Sequence, residues 1–121
     1  MGFREDLESI CGKIEGAVAA SVMGFDGIPI ETIEPKPVEG VDLATLFTEY
    51  SSILSQVKNA AETLQMGKAS EVSIRTDKLV AVARLLTPEY FLILALDPDA
   101  NVGRARYQLR VSAGKVALQL M

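Results

Sequence analysis

The chain has no histidine and one cysteine, Cys11, among its 121 residues. Histidine is the commonest general base and metal ligand near neutral pH, so its absence removes Ser-His-Asp and Cys-His nucleophiles and any zinc site of the usual kind. A single thiol forms no intramolecular disulfide, and the chain lacks the disulfide framework of a small secreted domain. Tryptophan is also absent, and the most apolar run, Tyr90 to Leu96, is strand-sized, far short of the ~20 residues a membrane helix needs. The first residues include Arg4, Glu5 and Asp6, with no apolar signal core after them. Neither a G-x-x-x-x-G-K-S/T loop nor a G-x-G-x-x-G turn occurs. With 12 basic against 16 acidic side chains the net charge is -4, the wrong sign for generic nucleic-acid or anionic-membrane binding. The expectation is a cytoplasmic, non-enzymatic protein with no metal, no cofactor, no nucleic-acid partner and no integral membrane contact. A carboxylate-only site built from Asp26, Asp77, Asp97 and Asp99, all near predicted strand ends, is the one catalytic option left, and turn chemistry explains each of them more simply.

What remains is ordinary globular composition, 49% hydrophobic and 23% charged, in a length that suits one domain, residues 1–121. Phe3, Leu7, Ile10, Cys11 and Ile14 follow helical spacing, predicting a helix from Phe3 to Glu15 that Gly16 ends, with Cys11 packed on its apolar face. Ala17 to Met23, the turn Gly24-Phe25-Asp26-Gly27 and Ile28 to Ile33 read as a β-hairpin, and Pro29 makes the second arm an edge strand. Two prolines and a glycine between Glu34 and Gly40 make a loop. Asp42 caps a long helix reaching about Met66, with Leu43, Leu46, Phe47, Tyr50, Leu54, Val57, Ala61 and Leu64 on one stripe and Gly67 as terminator. Ala69 to Thr76, Leu79 to Leu85 and Tyr90 to Leu96 form a meander, in which Val72 and Ile74 share one face of the first strand and Glu71, Ser73 and Arg75 the other. A last helix carries Val102, Ala105, Leu109, Ala113, Val116 and Leu120 at helical spacing. Gly114 within it costs ~1 kcal/mol relative to alanine, so close packing or a local break is expected there.

Three helices around five antiparallel strands make an α+β domain. In this order of elements, and in Ala20-Ser21-Val22-Met23-Gly24-Phe25-Asp26-Gly27-Ile28-Pro29-Ile30 and Asp97-Pro98-Asp99-Ala100-Asn101-Val102-Gly103-Arg104-Ala105-Arg106, the chain resembles the roadblock family, dynein-light-chain-like domains found also in prokaryotic regulators of small Ras-like GTPases. The resemblance spans Phe3 to Leu120. It implies a roadblock/profilin-like five-stranded antiparallel sheet of order 2-1-5-4-3, with the long helix on one face and the two terminal helices on the other. It also implies a homodimer that pairs third strands edge to edge and central helices face to face, making a platform for a small Ras-like GTPase. Leu46, Phe47, Tyr50, Ile53, Leu54, Val57, Val72 and Ile74 are the dimer or partner candidates. Ala69 to Thr76 would be an edge with no proline to blunt it, which fits pairing; packing of all the helix residues on their own sheet is the alternative.

Charge is unevenly spread. Residues 1–60 hold 4 basic and 10 acidic side chains, net -6, and residues 61–121 hold 8 and 6, net +2. Arg104, Arg106 and Arg110 on the last helix are candidates to contact an acidic partner, or else they pair with Glu5, Glu8 or Glu15 of the first helix. The resemblance thus predicts a non-catalytic regulator or scaffold that biases a GTPase's nucleotide cycle or localisation. A structural adaptor joining other roadblock or longin-like proteins, without reading nucleotide state, is the alternative.

Overall fold

In a computed structural model describing residues 2–121, the chain forms α1 (Phe3–Gly12), β1 (Ala17–Gly24), β2 (Pro29–Ile33), α2 (Leu43–Thr63), β3 (Glu71–Arg75), β4 (Val80–Leu85), β5 (Tyr90–Leu96) and α3 (Val102–Leu118). The sheet is antiparallel throughout, in the order β2-β1-β5-β4-β3. The expected order and layers are therefore found, with Pro29 on the edge strand β2.

Both faces of the central strands are covered, and alternation sorts their side chains into two cores. Val80, Val82, Leu92, Leu94 and Leu96 face α1 and α3, where Leu7, Ile10, Leu109 and Val116 close the layer. On the other face Phe91 and Ile93 meet Leu43, Phe47 and Leu54 of α2, across a floor of Ala19, Ala81, Ala83 and Ala95. Those four alanines leave room for α2 to lie close to the sheet. A register shift between Ala17 and Ala19 lets Val18 and Ala19 both join the α2 side, which strict alternation forbids.

Helix ends depart from expectation for identifiable reasons. α1 stops at Gly12 rather than Glu15, and the chain continues in turns to Gly16 (φ +90°), while Ile14 still reaches the core. The Arg104 Nε donates to the freed carbonyl of Lys13 at 2.7 Å, satisfying a group that the helix end leaves open. α2 starts as predicted at Asp42, which accepts from the Thr45 N–H at 3.2 Å and the Thr45 hydroxyl at 2.8 Å. It ends at Thr63 rather than Met66. The Met66 N–H donates to the Ala61 carbonyl and the Gln65 N–H to that of Glu62, closing a Schellman motif with Gln65 (φ +58°) at its left-handed position, while Gly67 (φ +84°) turns the chain two residues later. Leu64 is therefore exposed and leaves the apolar stripe. Gly114 neither breaks α3 nor packs closely, since a Cβ there would meet nothing within 4 Å.

Two substitutions follow from these ends. Gln65→Gly relieves a left-handed non-glycine residue and is expected to raise unfolding free energy by roughly 0.5–1 kcal/mol. Gly114→Ala, in open space within a helix, is expected to add about 1 kcal/mol. Urea unfolding of each variant against the parent chain checks both values.

Candidate protein–protein interface

α2 carries two apolar stripes. Leu43, Phe47, Ser51 and Leu54 face the sheet and are buried, with Phe47 2% and Leu54 0% exposed. A second stripe, Leu46, Tyr50, Ile53 and Val57, lies roughly a quarter turn away and recurs at spacings of 4, 3 and 4, the pattern of a helix–helix seam. Leu46 and Tyr50 are half-buried, and Ile53 and Val57 are 43% and 36% exposed. The sequence candidates thus divide. Phe47 and Leu54 belong to the chain's own core and are corrected from interface to packing; Leu46 and Tyr50 pack half-buried against the margin of that core, and Ile53 and Val57 form the exposed part of the seam.

β3 flanks the same core as an edge strand, with Val72 and Ile74 half-buried on the α2 side of the sheet. The Ser70 carbonyl accepts from the Leu85 N–H and the Thr76 N–H donates to the Leu79 carbonyl, so even-numbered residues turn their backbone groups towards β4. By alternation Glu71, Ser73 and Arg75 turn theirs to the open edge. That edge carries no proline and no bulge.

The arginines are not equivalent. Arg104 caps α1, as described above. Arg106 forks onto Glu71, Nε to Oε1 at 3.2 Å and Nη2 to Oε2, and this hydrogen bond with the arginine charge holds the Glu71 carboxyl below the ordinary glutamate range. Arg110 lies 5.4 Å from the centre of the Tyr107 ring and forms no ion pair among the described residues. Pairing with Glu5, Glu8 or Glu15 is not what holds α3. The Lys115 ammonium meets buried Asp6 at 3.4 Å, and Gln119 donates to the same carboxylate. Glu5 instead accepts from the Gly2 N–H at its own helix start. Sequence reasoning missed Glu71, Arg84 and Tyr107 as neighbours of Arg106 and Arg110, because they converge only when α3 lies across β3 and β4.

Asp26 accepts from the Ile28 N–H in the first hairpin and Asp97 pairs with Lys36 at 2.7 Å, so both serve turns and connections. Among the described residues no group of three His, Cys, Asp or Glu is arranged to hold a metal ion. Half-buried Cys11 has its thiol pushed up to about 11 by desolvation, which keeps it protonated and unreactive at neutral pH. Among the described residues no helix is long and apolar enough to cross a membrane.

The layers leave an apolar stripe of α2 facing outward beside the β3 edge of the sheet. Comparison with solved structures gives the family. Over 98% of its length the chain is 49% identical to MglC from Myxococcus xanthus, of which it covers 99%, with a TM-score of 0.71. A Roadblock/LC7 domain from Streptomyces avermitilis superimposes with a TM-score of 0.84 at 12% identity, covering 100% of this chain and 99% of that one. The gliding protein MglB of Thermus thermophilus gives 0.78 at 19% identity, over 94% and 84% of the two chains. No protein-family model matches the sequence, and neither does any curated protein. The chain belongs to the roadblock family, and its likeness to MglC extends from end to end.

The fork between Arg106 and Glu71 has a pH signature. Because the folded carboxyl ionises below its unfolded value of about 4.3, its contribution is present at neutral pH and fades as pH falls through the folded value. A carbon-detected NMR titration is expected to place the Glu71 midpoint below the ordinary glutamate value of about 4.3, and Arg106→Gln is expected to move it up.

Proposed function

We propose that the chain is a non-catalytic homodimeric regulator or scaffold that binds a small Ras-like GTPase and biases its nucleotide cycle or localisation. The observation that carries this reading is the outward seam Leu46-Tyr50-Ile53-Val57 on α2 beside an unblunted β3 edge. A lone chain leaves Ile53, Val57 and the β3 edge exposed and Leu46 and Tyr50 half-covered, and a two-fold pairing covers them at once.

β3 is self-complementary in one register. Antiparallel pairing centred on Ser73 sets Glu71 opposite Arg75 of the second copy and Val72 opposite its Ile74. It also brings together the residues whose backbone groups face the open edge. Opposite charges meet on one face and apolar side chains on the other. A neighbouring register breaks the charge match. The paired α2 helices then form a platform, and a partner whose two nucleotide states bind it unequally is shifted in proportion to that difference. Support for a GTPase as that partner comes from the family resemblance and the likeness to MglC and MglB.

Light scattering is expected to give a mass near twice 13.0 kDa. Ile53→Glu with Val57→Glu is expected to yield a folded monomer, whereas Leu54→Asp unfolds the chain, costing several kcal/mol as a buried unpaired charge. A folded double variant that stays dimeric would remove α2 from the interface. Function is tested by affinity capture from native lysate in GDP and in a non-hydrolysable GTP analogue. Recovery of a small GTPase in one arm only supports regulation; equal recovery of other partners in both arms makes the chain an adaptor.

A further inference from the structure

α3 also carries two stripes. Ala105, Leu109, Ser112 and Val116 are buried against the sheet, at spacings of 4, 3 and 4. On the outward side Tyr107, Val111, Gly114 and Leu118 repeat the same spacing, and Tyr107, Val111 and Leu118 are 51%, 53% and 69% exposed. This is a second heptad-like seam, on the opposite side of the sheet from α2. Nothing inside the chain accounts for Gly114 in it: a Cβ there meets nothing within 4 Å, and the residue costs α3 about 1 kcal/mol. A glycine in an exposed seam admits close approach from outside.

Charge defines what approaches. Arg84, Arg106, Arg110 and Tyr107 line a shallow cavity of about 220 Å³ in which Glu71 is the one carboxylate. Three guanidinium groups around one acid leave two positive charges in excess beside the seam. α3 itself, Val102–Leu118, carries Arg104, Arg106, Arg110 and Lys115 and no acid. A second copy of this face would set like charges against each other, and α1, which is acidic, has no exposed large apolar side chain. The net charge of -4 also opposes long-range attraction to an anionic bilayer.

We propose that the outward face of α3 docks an acidic amphipathic helix of a different protein. Its apolar residues lie along Tyr107, Val111 and Leu118, and its carboxylates meet Arg84, Arg106 and Arg110. The site goes beyond the α2 platform and lies on the other face of the sheet, so one protein holds two partners at once.

The test titrates the labelled full chain with a synthetic three-heptad peptide, Leu at positions a and d and Glu at e and g, read by amide chemical shifts. Saturable shifts confined to Tyr107–Leu118 and the β3–β4 face are expected, weakening with salt. Arg110→Glu, which leaves the Arg106–Glu71 fork in place, is expected to raise the dissociation constant several-fold, and Tyr107→Ser is expected to weaken binding too. Circular dichroism and the dimer mass should be unchanged in both variants, which separates failure here from failure of the α2 reading. Equal binding of a matched peptide with Lys in place of Glu would overturn the proposal, as would shifts confined to α2. So would α3 shifts elicited by vesicles of phosphatidylserine and phosphatidylcholine in equal parts but not by the peptide.

Discussion

The structure depends on a sheet whose central strands are buried on both faces. Every residue of β1 and nearly every residue of β5 is out of water, so neither face can be left bare. Covering one face takes α1 and α3 together, and covering the other takes α2 alone. A lone helix cannot shield a five-stranded face to its edges, which leaves Val72 and Ile74 only half-buried and α2 with a second, outward apolar stripe. The outward surface on that side is therefore a geometric consequence of the layering. Its proposed use as an interface would draw on the same hydrophobic term that builds the core.

The two helical faces differ in how charge is distributed beside them. The α2 seam continues at the sheet margin into Val72 and Ile74, while the opposite face of the same β3 edge carries one acid and one base, Glu71 and Arg75, symmetrically about Ser73. That arrangement suits a copy of itself. On the α3 side the seam is flanked by cations only, and Glu71, already engaged by Arg106, is the single acid in their midst. That arrangement repels a copy of itself and suits an acid. On the proposed readings, the sign of charge beside each surface separates self-association from heterologous binding without an added domain.

Much of the fold was legible because its signals are local and periodic. The alternation in β3, Pro29 on an edge, Asp42 at a helix start and the Asp26-Gly27 turn all act within a few residues, and the element order resembled one family from end to end. Helix ends were less legible. Gly67 was the obvious terminator of α2, yet Gln65 takes the left-handed position two residues earlier, because the backbone bonds to Ala61 and Glu62 decide where the helix closes. The site was half legible. Spacing placed Phe47 and Tyr50 on one apolar surface, but which of two adjacent stripes faces the sheet depends on how α2 rolls on its alanine floor. The Arg106–Glu71 fork joins residues 35 positions apart, and no periodicity in the sequence reports such a contact.

Closure of the β3 edge by a second copy of the chain, with Ser73 on the two-fold axis, is the central claim. Hydrogen exchange of the Ser73 amide tests it most directly, because by the alternation of β3 that N–H turns away from β4 to the open edge. In the native chain Ser73 is expected to be protected to the same degree as amides of the central strands, and the Ile53→Glu, Val57→Glu variant is expected to lose this protection while β5 keeps its own. Free exchange of Ser73 in a chain that is demonstrably dimeric would contradict the claim and move the interface elsewhere.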